Sequence, residues 1–338
     1  MTKLPKLSTF LKSLFTLIMF AISTNSISAE KIILIVGGME KQIYLPVKLA
    51  ERLGYLKETG LDIELLSEPS GVNAVTEMLS GAAQGVVGFY DHTIDLQARG
   101  KQVQSVVQFS QAPGEAILVS KTASAHIKSP ADFKGKTLGV TGLGSSTNFL
   151  TQFLASKYGV KNSEYTTLPV GSGSTFIAAM TQKKIDAGMT TEPTISRLTS
   201  TGAASILVDL RTLKATEAAL GGAYPGACLY MPTAWVNSHK EQVQKIVTAF
   251  VKTLAYIQTH SAQEIADMMP PDYYKANKQQ YIDSLSASKD MFTADGIMPE
   301  SGPATVLNVL NGFNKAVQGK NINLSNTYTT EFVKAARK

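Results

Sequence analysis

From residue 32 onward, short apolar runs alternate with amphipathic stretches. The runs are Ile32–Val36, Asp62–Leu66, Gly85–Phe89, Val103–Phe109, Ala116–Val119, Thr137–Val140, Tyr165–Val170, Ala187–Thr190 and Ser205–Val208. Most are β-branched and near-continuously apolar, as strands covered on both faces are. Helical patterns separate them. Pro46 suits the first turn of a helix that ends at Gly54, and Ser129-Pro130-Ala131-Asp132 reads as a capping box. This alternation predicts an α/β protein with mainly parallel sheets. The last third changes character. Val243, Ile246, Val247, Phe250, Val251, Leu254 and Ile257 follow helical spacing, and Ser261 with Glu264 is a second capping box closed by Pro270-Pro271. Val306, Leu307, Leu310, Phe313 and Val317 predict another helix.

A weak internal echo accompanies the alternation. Shifted by 102 residues, Gly71 falls on Gly173, Val75 on Ile177 and Met78 on Met180. Each copy has a strand ending in a small-residue turn, Pro69-Ser70-Gly71 or Gly171-Ser172-Gly173-Ser174. Two similar α/β lobes follow, with loops at the C-terminal strand ends, where open α/β sheets bind ligands.

Lys3, Lys6 and Lys12 precede the apolar run Leu14–Ile22, and Ile27-Ser28-Ala29 follows. These are the parts of a secretory signal peptide, cleaved after Ala29. Its removal takes three lysines and lowers the formal charge from +6 to +3, a surplus too small to point to nucleic acid. The single cysteine, Cys228, excludes an intrachain disulfide and a multi-cysteine metal site. A secreted chain of 338 residues without a disulfide suits a bacterial periplasm.

Several catalytic motifs fail. Lys134-Gly135-Lys136-Thr137 has the end of a P-loop, but Pro130 occupies the required upstream glycine and the segment runs into a strand. No G-x-S-x-G elbow exists. His92, His126, His239 and His260 are not at metal-ligand spacing, so no metal or other cofactor is expected. Asp91-His92 lacks an identifiable nucleophile.

The strongest local signal is Thr141-Gly142-Leu143-Gly144-Ser145-Ser146-Thr147, between a strand and a helix. Its glycines admit close approach and the helix start offers free N–H groups. Simple capping by serine competes with ligand binding here; the similar turn Gly171–Thr175 favours ligand binding. Asp91 and Glu192 suit a ligand that carries a donor, and Tyr44, Phe89, Tyr90 and Tyr224 offer flat walls. The candidate ligand-binding set is Gly38, Tyr44, Ser70, Gly71, Tyr90, Asp91, His92, Gln111, Gly144, Ser145, Ser146, Thr147, Gly173, Thr175, Glu192 and Tyr224.

The order of several segments resembles the periplasmic solute-binding proteins of the nitrate/sulfonate/taurine ABC-importer class. They are Tyr44-Leu45-Pro46 … Gly54-Tyr55 … Gly60-Leu61-Asp62, Asp91-His92-Thr93, Ser129–Lys136, Lys184–Gly188, Glu192-Pro193-Thr194 and Gly221–Pro225. Where the family has an acidic residue in the first lobe's turn this chain has Gln84, whereas Asp186 keeps it in the second.

The resemblance implies a type II periplasmic-binding-protein fold: two mixed, mainly parallel sheets flanked by helices and joined by a two-strand hinge. Crossings are expected near Ala112–Val119 and Gly226–Met231, giving lobes of 30–113 plus 228–338 and of 114–227. It also implies a monomeric receptor that delivers a small organic anion or zwitterion to ABC permease subunits. The family includes enzymes that make the thiamine pyrimidine, marked by a cysteine-rich motif. One cysteine cannot supply that motif, so the chain is expected not to be an enzyme. Two alternatives are an enzyme on the same scaffold with Asp91 and His92 as acid–base groups, and a solute sensor with a signalling partner.

Overall fold

The structure is a computed structural model that describes Thr2, residues 31–274 and residues 277–337. The expected leader, residues 1–29, otherwise lies outside the described residues. Ten strands form among them: β1 (Ile32–Val36), β2 (Ile63–Ser67), β3 (Gly85–Phe89), β4 (Val103–Gln108), β5 (Glu115–Ser120), β6 (Thr137–Val140), β7 (Thr166–Pro169), β8 (Ala187–Thr191), β9 (Ala204–Leu210) and β10 (Ala227–Pro232). They build two five-stranded sheets, ordered β2-β1-β3-β10-β4 and β7-β6-β8-β5-β9.

The 102-residue echo has a structural counterpart. β1 is parallel to β2 and β3, as β6 is to β7 and β8. The fourth strand of each sheet, β10 or β5, is antiparallel to both neighbours. Met78 and Met180 occupy matching helices, Gly71–Ser80 and Ser174–Thr181, and both are buried.

Both faces of the strands are covered. In β5, Ala116 and Leu118 join Phe176, Met180 and Ile195 on one side, while Ile117 and Val119 join the larger core on the other. This explains the absence of polar alternation in the sequence. Between β6 and β8 the approach is so close that a side chain at Gly188 would stand 2.6 Å from the Gly139 carbonyl oxygen.

Helix Leu45–Arg52 has Pro46 in its first turn, and the chain turns at Gly54 with φ +80°. Helix Lys240–Thr259 buries Val243, Ile246, Val247, Phe250, Leu254 and Ile257 against β4 and helix Leu45–Arg52. Each such side chain contributes about 1.5–3 kcal/mol of burial. The capping box at Ser261 and Glu264 forms as expected. The apolar spacing from Val306 to Val317 outlasts its helix, Gly302–Asn311; Phe313 instead sets its ring 5.8 Å from Phe149 of the other lobe. No helix among the described residues is long and apolar enough to cross a membrane.

The chain passes between the sheets at residues 109–114 and 221–226, and the two passages are stitched together. Gly226 N donates to Ser110 O, Ala227 N to Ser110 Oγ, and Gln108 Nε2 to the Ser110 and Ala227 carbonyls.

Candidate functional site

The C-terminal ends of β1, β3, β6 and β8 meet between the lobes. Because β5 runs antiparallel to β8, its first residue, Glu115, lies opposite Thr191 at the same edge. A small cavity results. Lys41, Tyr44, Gly71, Phe89 and His92 line it from the first lobe, and Glu115, Thr141, Ser145, Ser146, Thr147 and Thr191 from the second. Its volume is about 10 Å³, room for about one water.

Four ionisable groups of this lining are buried: Lys41, Tyr44, His92 and Glu115. Glu115 is 1% exposed; its Oε1 accepts from Ser146 Oγ at 2.5 Å, while Oε2 has no partner among the described residues. Burial pushes this carboxyl up to about 8, Asp91's charge adds to the push, and the Ser146 hydrogen bond and Lys41's charge oppose it. Lys41 donates from Nζ to the carbonyls of Gly37 at 2.5 Å and Pro69 at 3.3 Å. Burial lowers it to about 8 against the pull of Glu40 and Glu115. His92 Nδ1 lies 2.8 Å from Asp91 Oδ1, close enough for an ion pair but not aligned as a hydrogen bond, and its Nε2 has no partner among the described residues. Burial works to lower the imidazole, but Asp91 outweighs it and the net shift is upward.

The turn Thr141–Thr147 is a knot of hydroxyls. Thr141 N donates to Thr147 Oγ1, Thr141 Oγ1 to Ser145 Oγ, and Ser145 Oγ to Gly142 O. Ser145 is the N-cap of helix Ser146–Lys157 but makes no side-chain cap, so the serines here do something other than capping.

Of the residues expected at the site, Tyr44, Gly71, His92, Ser145, Ser146 and Thr147 line the cavity. Gly173 and Glu192 line an adjoining interlobe groove of about 780 Å³, which shares Lys41 with the cavity and carries Tyr273, Tyr274, Tyr281 and Arg197. Gly144 packs at the rim near Val72, Ser70 presses on Gly142, and Gly38 backs the Lys41 side chain. Thr175 stands at the groove's edge, its hydroxyl donating to Ser172 O.

The remaining residues of the set are placed away from the cavity or are already engaged. Tyr90, the residue before helix Asp91–Ala98, is buried in the first lobe's core and bonds Thr327 through its hydroxyl. Gln111 is drawn off to the Asp290 carbonyl at 2.9 Å, where it tethers the first passage. Asp91 and Tyr224 lie one layer behind His92: Tyr224 Oη donates to Asp91 Oδ2 at 2.9 Å and both are fully buried. Glu192 is not an open carboxylate, since Arg211, Ser196 N and Ser196 Oγ occupy it. Arg211 sits 19 residues downstream beyond β9, a partner that local sequence gave no reason to seek.

Sequence reasoning missed Glu115 and Thr191 as lining; Thr141, which opens the turn singled out from the sequence, and Lys41, a strand-end charge, line the cavity as well. Glu115 reads as a polar strand start, and only the antiparallel placement of β5 shows where it goes. Among the described residues no group of three or more His, Cys, Asp or Glu is placed to hold a metal ion.

Two lobes, two adjacent crossings and a cavity between sheet ends define the periplasmic-binding-protein fold. The sulfonate-binding protein SsuA of Xanthomonas axonopodis pv. citri, bound to MOPS, matches with a TM-score of 0.65 and 16% identity over 88% of this chain and 98% of its own. The nitrate-binding protein NrtA of Synechocystis PCC 6803 matches at 0.70 and 11% over 91% and 88%. A Bordetella bronchiseptica RB50 protein matches at 0.88 with 34% identity, over 91% of this chain and 96% of that one. The family model described as NMT1/THI5 like matches residues 43–264, and the chain belongs to that family.

Among curated relatives, the 4-amino-5-hydroxymethyl-2-methylpyrimidine phosphate synthase THI11 of Saccharomyces cerevisiae is 32% identical over 163 residues, 48% of this chain and 46% of its own length. The chain thus spans about half the length of that relative in the match. The Aspergillus parasiticus synthase is 27% identical over 253 residues, 72% of each chain. These names overturn the expectation that the chain is not an enzyme. That expectation rested on one missing cysteine motif, whereas the likeness runs through the scaffold.

Proposed function

We propose that this chain is a solute receptor whose lobes close on a small organic molecule and present it to the transmembrane subunits of an ABC importer. The placement of the cavity carries this reading. It lies where both sheets end, beside two stitched passages, so hinge motion there opens it without disturbing either sheet. A cavity of about 10 Å³ is far below the size of a ligand site, so loading requires the lobes to part. The leader ending at Ala29 and a periplasmic location belong to the same reading.

The relatives' name narrows the solute. A substituted aminopyrimidine is flat and carries both donors and acceptors, which suits hydroxyls, a buried carboxyl and the aromatic sides of Tyr44 and Phe89. Nitrate or a sulfonate group offers acceptors alone. A second reading, synthesis of such a pyrimidine, is favoured by the relatives' activity.

Titration calorimetry with 4-amino-5-hydroxymethyl-2-methylpyrimidine, taurine and nitrate tests the first reading, and mass spectrometry of reaction products tests the second. The expected result is micromolar or tighter binding of the pyrimidine and loss of its uptake in cells lacking the chain. Accumulation of 4-amino-5-hydroxymethyl-2-methylpyrimidine phosphate when the purified chain is incubated with a small-molecule cell extract free of it supports the synthase reading. Binding of taurine without the pyrimidine overturns the pyrimidine assignment.

A further inference from the structure

We infer that Glu115 is the specificity-determining residue of the cavity, its carboxyl pairing through two hydrogen bonds with a ligand edge in which a ring nitrogen stands beside an exocyclic N–H. The inference rests on the aminopyrimidine reading and deepens it.

The carboxyl is rigidly presented. Glu115 is the first residue of β5 and is held in register between Thr191 of β8 and Leu210 of β9. Ser146 fixes Oε1, which keeps a second lone pair, and Oε2 is buried, without a partner among the described residues, in the wall of the cavity. A side chain 1% exposed with one oxygen bound and the other idle is a half-made recognition site. The groups around it are Lys41 after β1, Tyr44, Asp91 and His92 after β3, and Tyr224 beside Asp91.

Carrying its proton on Oε2, the acid donates to the ring nitrogen and accepts the exocyclic N–H on Oε1. Both partners are neutral and no donor is wasted. Burial keeps the proton in place up to a pH of about 8. Above that, two acceptor oxygens confront the ring nitrogen's lone pair and one of the two bonds is lost. A dialkylated amine removes the other bond at any pH.

The decisive variants are Glu115→Gln and Glu115→Ala. Glutamine supplies the same donor and acceptor as the neutral acid without titrating. For 4-amino-5-hydroxymethyl-2-methylpyrimidine, Glu115→Gln is expected to bind within a fewfold of wild type, and Glu115→Ala about a hundredfold more weakly. Wild-type affinity falls as the pH passes about 8, while that of Glu115→Gln stays level. The 4-dimethylamino analogue binds weakly to wild type. Thermal melts show that each variant is folded. Should Glu115→Ala not fold, the analogue and the pH profile of Glu115→Gln decide. Undiminished binding by folded Glu115→Ala, tight binding of the analogue, or a level wild-type profile overturns the inference. Failure of wild type to bind the pyrimidine at all overturns the function reading instead.

Discussion

Two residues at equivalent positions show how much chemistry a substitution can preserve. Asp186 Oδ2 accepts from Thr137 N at 2.8 Å at the start of β6, and Gln84 Oε1 accepts from Ile33 N at 2.7 Å in β1. The amide thus keeps the acceptor that the turn requires and gives up only the charge. Gln84→Ala leaves the Ile33 N–H unpaired and is expected to lower stability by about 1–3 kcal/mol, while Gln84→Glu stays near wild type; urea denaturation checks both. Ser146→Ala takes away the hydroxyl that holds Glu115 Oε1. That hydroxyl caps no helix but is the partner of a buried carboxyl, so ligand affinity is expected to fall roughly threefold to tenfold in calorimetry and stability by about 1–3 kcal/mol in urea denaturation. Cys228 is fully buried in β10 and burial raises its thiol, so it is expected to resist thiol reagents until the chain unfolds. Cys228→Ala leaves binding unchanged.

At the scale of elements, the strands were legible because burial on both faces leaves an unbroken apolar run. The capping boxes at Ser129 and Ser261 were legible because their chemistry lies within four residues. What local sequence did not show was partnership between segments far apart in the chain. Glu115 and Thr191 are brought together by an antiparallel strand, Glu192 is neutralised by Arg211 from beyond the next strand, and Phe313 leaves its helical pattern to meet Phe149. The turn at Gly142 is part of the same interface. A side chain there would stand 2.8 Å from Ser70 Oγ on the opposite lobe. Gly142→Val is therefore expected to hold the lobes apart, weakening ligand binding about tenfold or more while the unfolding midpoint changes little. Calorimetry measures the first effect, and small-angle scattering shows a larger radius of gyration.

For the whole molecule, the two buried charges give stability a definite dependence on pH. Glu115 is raised from 4.5 to about 8, so the folded state holds a proton that the unfolded state has released between those values; stability falls as pH rises through that window. Lys41 is lowered from 10.5 to about 8, so the unfolded state holds the extra proton above 8 and stability from this group recovers toward 10.5. Urea midpoints measured across the range are expected to dip near pH 8, and Glu115→Gln removes the falling limb. The strand order carries a consequence for assembly. The second sheet uses β5 to β9, consecutive along the chain, whereas the first places β10 between β3 and β4. During synthesis, β3 and β4 therefore wait with a gap one strand wide until residues 227–232 arrive, while every strand of the second sheet has already been made. The nascent chain thus keeps half of itself unfinished until late, which delays completion of the binding cleft until the chain is two-thirds made.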